Sequence, residues 1–143
     1  MRDRDLVAGV VQLGNLLTRK LAPIFARNNV TPQQWAVLAV LATADEPMSL
    51  VEIAREMLVS KQNMTGMIAR LEQLGLAERA GDPHDLRASR VSLTRRGRST
   101  VEKLRPAYEQ WLESVAGATL SERDLQALTR NVNKLIEALE ESD

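Results

Sequence analysis

The stretch SLVEIAREMLVSKQNMTGMIARLEQLGLAERAGDPHDLRASRVSLT, residues 49–94, decides the fold. It opens on Ser49-Leu50-Val51-Glu52, a capping box in which the serine hydroxyl takes one orphan amide of a helix start and the glutamate carboxylate reaches back to another. Leu50, Ile53, Ala54 and Met57 then fall on one face of a short helix. Leu58-Val59 break that spacing and Ser60 caps a second helix, leaving the short connection expected between two steeply crossed helices. Met64, Met67, Ile68, Leu71 and Leu74 recur at helical spacing, so they pack inward. Gly75 ends the helix where a left-handed residue is wanted. Leu76-Ala77-Glu78-Arg79 and Arg90-Val91-Ser92-Leu93-Thr94 read as two short strands with Leu76, Val91 and Leu93 toward the core. Residues 80–89, with Gly81 and Asp82-Pro83 as turn formers, are expected to be the hairpin tip between them. By type, this is a helix-turn-helix followed by a β-wing.

The outward face of the second helix reads Lys61, Gln62, Asn63, Thr65, Gly66, Ala69, Arg70. It is polar, short-sided near its start, and carries Glu72 as the one acid between Lys61 and Leu74. A merely solvated face ordinarily mixes acids and bases in similar numbers. An acid-poor helix opening suits approach to base edges and phosphates, with Lys61, Gln62, Asn63 and Thr65 as base readers and Ser60 and Arg70 on phosphates.

Leu74-Gly75-Leu76 followed by Arg79, then Asp82-Pro83-His84-Asp85-Leu86-Arg87 and Val91-Ser92-Leu93-Thr94-Arg95-Arg96-Gly97, resembles the MarR family of winged helix-turn-helix transcriptional regulators. A bare helix-turn-helix is weak evidence, whereas this wing at this spacing is specific. The resemblance extends over all 143 residues as a single chain of mainly α structure with a small β-wing: a winged lobe over residues 31–99, flanked by dimerisation helices over 5–27 and 100–143. It implies a homodimeric regulator of double-stranded operator DNA, often a repressor released by a small aromatic or phenolic effector. On the family's Asp-x-Arg pattern, Arg87 is the wing residue that enters the minor groove and Asp85 orients it. Leu86 departs from the arginine often found there, and Arg90 is the nearest substitute for the phosphate contact so lost.

Composition sets bounds around this reading. A chain of 143 residues with 44% hydrophobic residues can bury one core without metal or disulfide. Aromatics are only 3%, which disfavours a single-strand binder that stacks bases on rings. With no cysteine, a thiol-based oxidant sensor is excluded and a reducing compartment is consistent. No run of about 18 apolar residues occurs, and Met1-Arg2-Asp3-Arg4-Asp5 is not followed by a signal-like segment, so a cytoplasmic protein without a membrane span is expected. Net charge is formally zero, yet between Arg55 and Arg98 nine bases face five acids. That basic middle, set against an acidic C-terminal part, presents one face to phosphate.

Outside the winged stretch, a first helix is expected from about Asp5 to Arg27. Leu6, Val10, Leu13, Leu17, Leu21 and Ile24 form its stripe, widened by Val7, Val11 and Leu16. Pro23 stands near its end, and Asn28-Asn29 tolerate a left-handed turn. Thr31-Pro32-Gln33-Gln34 caps the next helix, which runs to about Thr43. Met48 is expected to add a single-bridge strand to the wing. Trp35 is either core filler or, with Trp111, a wall of an effector cavity. Thr94 caps a long helix through Ala116 with a bend near Pro106, and Ser121-Glu122-Arg123-Asp124 caps the last one.

Enzyme chemistry finds no support. His84 is the sole histidine and lies on the expected hairpin tip, Asp82 and Asp85 fit a turn and an arginine partner, and the glycines form no phosphate cradle. No metal or cofactor site is expected. The competing class is a helical or winged-helix protein interaction module without DNA contacts. An arginine-bearing wing joined to an acid-poor helix separates the two.

Overall fold

The computed structural model describes residues 5–82 and 85–141, and for residues 82 and 85–88 the backbone alone. It falls into two compact units, residues 1–105 and 106–143.

In the first unit, α1 (Leu6–Ala26) is capped by Asp5, whose carboxylate accepts from the amides of Val7 and Ala8. Its C-terminal end enters the core at Phe25, and the chain turns through Asn29 at φ 59°. Thr31 and Gln34 exchange the two hydrogen bonds of a capping box at 3.1 and 2.9 Å and start α2 (Pro32–Thr43). Trp35, Val37, Leu38 and Leu41 of α2 are buried. Trp35 stacks on Phe25 with ring centroids 5.3 Å apart, and the Arg105 guanidinium lies 5.9 Å above its ring. Trp35 is therefore packed into the core of this unit.

Strand β1 (Met48–Ser49) leads directly into α3 (Leu50–Met57), and α4 (Lys61–Gln73) follows. Ile53 and Ala54 of α3 and Met64, Ile68 and Leu71 of α4 carry the buried faces. Between the helices Leu58 takes the left-handed conformation, φ 56°, where a glycine would be expected. After α4 the left-handed residue is Gly75, φ 75°, as its place in the sequence predicts.

The wing is longer than the sequence reading allowed. Strand β2 covers Ala77–Asp82 and β3 Asp85–Leu93, so most of the expected hairpin tip is paired backbone. Ala80 faces Arg90 and Gly81 faces Ser89, with an irregularity at Gly81/Asp82. The strands extend there through ladder hydrogen bonds, which any residue but proline can make and which leave no apolar alternation to read. The antiparallel sheet has the order β1-β3-β2, and β1 pairs at two positions, Met48 opposite Val91 and Ser49 opposite Arg90, one more than the expected single bridge.

Helix α5 (Arg95–Leu112) begins where Thr94 donates to the Gly75 carbonyl at 2.6 Å and accepts from the Gly97 amide at 3.0 Å. Gly97 is required by contact: a Cβ there would run into the Leu76 carbonyl and sit 3.3 Å from Leu93 Cδ2. The unit boundary falls at Pro106, inside α5.

In the second unit the helix continues into a π-helical turn, Glu113–Gly117, which the sequence did not predict. Ser121 and Asp124 then cap α6 (Glu122–Glu141) reciprocally at 3.1 and 3.3 Å. No residue of α6 is buried. Among the described residues, no helix is long and apolar enough to cross a membrane, and no group of three or more His, Cys, Asp or Glu is placed to hold a metal ion.

Candidate nucleic-acid interface

Ser60 starts the site. Its hydroxyl oxygen accepts from the Asn63 amide at 3.0 Å, which starts α4 and leaves the hydroxyl hydrogen for an outside acceptor such as a phosphate. The first turn of α4 carries no acid, so the positive end of the helix dipole is not neutralised there. Lys61, Gln62 and Asn63 are exposed and, among the described residues, their side chains have no hydrogen-bond or ion-pair partner. The donors and acceptors that reading a base edge needs are therefore presented outward.

Thr65 is exposed too, but its hydroxyl donates to the Lys61 carbonyl at 2.9 Å. What it still offers a base is a hydroxyl acceptor and a methyl group. Arg70, two turns on, is exposed and makes one long contact, 3.4 Å, to Gln73.

Among the described residues two ion pairs, neither foreseen from the sequence, tie the helices to the wing. Glu72 of α4 receives the Arg79 Nε and Nη2 of β2 on one carboxylate oxygen at 2.8 and 2.7 Å. Glu52 of α3 receives the Arg90 Nη1 of β3 at 2.7 Å. The Glu52 carboxylate also accepts from the Ser49 hydroxyl at 3.1 Å, while that hydroxyl accepts from the Glu52 amide at 3.1 Å. The Ser49 hydroxyl above all, and then Arg90, hold the Glu52 carboxyl below its ordinary pKa against the opposing effect of desolvation; the Ser49 backbone amide contributes least. Arg90 thus joins wing to helix. Local spacing could not have found these pairs, because Glu52 and Arg90 are 38 residues apart.

The side chains of Asp85 and Arg87 lie outside the described residues, as do His84 and Pro83. Strand β3 brings the backbone of residues 85–89 to the far end of the wing, opposite 81–82. Trp35 lies in the core of the first unit and Trp111, half-buried, in the second.

A capped, acid-free helix opening, a preceding short helix and a three-stranded wing locked to both define a winged helix-turn-helix. The MarR family model matches residues 28–88. The transcriptional activatory protein BadR of Rhodopseudomonas palustris is 30% identical over 131 residues, 90% of this chain and 73% of that protein. The homoprotocatechuate degradative operon repressor of Escherichia coli is 27% identical over 132 residues, 92% of this chain and 88% of that one. Among solved structures, the Staphylococcus aureus MepR–DNA complex superposes with a TM-score of 0.87 at 18% identity, over 95% of this chain and 99% of that chain, a likeness of fold. The chain belongs to the MarR family of transcriptional regulators, a class without enzymatic activity.

Proposed function

We propose that this chain binds duplex operator DNA as a homodimer, with α4 in the major groove and the wing reaching the flanking minor groove. The observation that carries the reading is the opening of α4, where Lys61, Gln62 and Asn63 stand exposed beside an acid-free helix end. Base reading falls to these three and to Thr65, the last through its methyl group on a thymine. Ser60 and Arg70 take phosphates. By family resemblance Arg87 enters the minor groove and Asp85 orients it, while Arg90 positions the wing. The known relatives include an activator and a repressor, so the sign follows from where the operator lies relative to the promoter. Repression is the mode we assign, with release by a small aromatic or phenolic molecule, the chemical type named in the homoprotocatechuate operon repressor.

The test is a mobility shift on the DNA upstream of the chain's own gene, across a salt series. Preference over random duplex at physiological salt is expected, and Gln62→Ala or Asn63→Ala should each cost about 1–3 kcal/mol of that preference at a definite position in each half-site. Equal affinity for random duplex at every salt concentration would refute the reading.

A further inference from the structure

Gly66 stands in the middle of α4 with ordinary helical geometry, since among the described residues its φ is not one of the positive values. Glycine in a helix interior is the poorest choice short of proline, because it gives up the most backbone entropy on folding. Two other glycines here have structural reasons, whereas Gly14 in α1, where a Cβ likewise meets nothing within 4 Å, has none. Gly75 supplies a left-handed φ, and Gly97 makes room for the Leu76 carbonyl. At Gly66 a Cβ would meet nothing within 4 Å. An alanine would fit this fold and improve the helix, so nothing inside the chain asks for glycine.

Its place on the helix supplies the reason. Gly66 lies four residues after Gln62, three after Asn63 and four before Arg70, on the exposed strip that carries the proposed base readers. We infer that Gly66 is a specificity-determining residue whose missing side chain lets α4 seat so deeply in the major groove that DNA atoms occupy the place a Cβ would take. This rests on the DNA-binding reading above. The readers at Gln62 and Asn63 reach base edges with their full length only if the helix backbone behind them comes close. A Cβ at 66 acts as a spacer and lifts all of them together. A non-specific complex, held by phosphate charge at a looser distance, has no such demand.

Gly66→Ala therefore has opposite expected effects on fold and function. Its thermal midpoint should rise by about 3 °C. Its affinity for the upstream operator should fall at least tenfold, while its affinity for random duplex at low salt stays within about twofold of wild type. A raised midpoint with unchanged or tighter operator binding would overturn the inference, and so would a lowered midpoint, which would give the glycine a structural cause. An equal loss on operator and random duplex would also overturn it, since seating depth would then not be what specificity depends on. If the wild-type chain itself shows no operator preference, the DNA-binding reading fails first; if wild type discriminates and Gly66→Ala does so equally well, only the role of Gly66 is lost.

Discussion

Leu58 holds a left-handed backbone that costs a side-chain-bearing residue roughly 1–2 kcal/mol, and its side chain is 52% exposed, so packing returns little of that cost. Asparagine tolerates the conformation better. Leu58→Asn should raise unfolding stability by about 0.5–1 kcal/mol in a urea titration, and a loss of stability would mean that the leucine packs more than its exposure indicates. Gly97→Ala should act the other way, destabilising by about 1–3 kcal/mol, because a Cβ there meets backbone, which cannot rotate aside. The turn after α3 and the start of α5 show what the sequence made legible at this scale. Caps at Thr31, Ser49, Ser60, Thr94 and Ser121 were readable because donor and acceptor sit three residues apart. Leu58 was read only as a break in spacing, since no leucine advertises a left-handed φ. Phe25 beneath Trp35 went unseen because stacking is a tertiary fact.

The wing and the helices it adjoins are coupled through Glu52 and Glu72, and both face arginines of the sheet. Deleting an acid near DNA should tighten binding through charge alone. If the pair instead fixes the wing, Glu52→Gln should weaken operator binding severalfold, because Arg90 and the strand it stands on lose their anchor. Tighter binding at all salt concentrations would show Glu52 to be only a repulsive charge. The pH dependence has a definite sign. A carboxyl whose pKa is depressed on folding stabilises the native state above the ordinary glutamate pKa, and that contribution is lost as pH falls through the depressed value. Any stability difference between wild type and Glu52→Gln should thus be present at neutral pH and be lost as pH falls through the depressed value; both partners are well exposed, so it should also shrink with salt. The wing's existence was legible from its turn residues and its Leu-Thr-x-x-Gly end. Its length was not, because the backbone pairing of residues 80–82 with 85, 89 and 90 follows no apolar pattern in the sequence.

The whole molecule leaves more apolar surface uncovered than a lone chain has use for. On α1, Leu6, Val7, Val10, Val11 and Leu13 are each at least half exposed, and on α6 Leu128, Val132, Leu135 and Leu139 stand open with no residue of the helix buried. Sequence periodicity showed both stripes but not what covers them, since a partner is not encoded in spacing. A second copy of this chain is the occupant that the proposed function requires, because two α4 helices must reach two half-sites about one DNA turn, ~34 Å, apart. Light scattering at micromolar concentration should then give twice the 15.9 kDa chain mass, and a monomer mass would remove the dimer. Val10→Glu or Leu128→Glu should shift that mass toward monomer and cut operator affinity by about 10²–10⁴, the avidity lost when one half-site is engaged at a time. The DNA side offers a check that leaves the protein untouched. Inserting about 5 base pairs between half-sites turns one to the opposite face of the duplex and should abolish bivalent binding, while a rigid symmetric pair should also fail with about 10, since the sites then face the same way but lie ~34 Å too far apart. Binding that survives both insertions at full strength would mean that each copy acts alone, and the exposed stripes of α1 and α6 would then need a different partner.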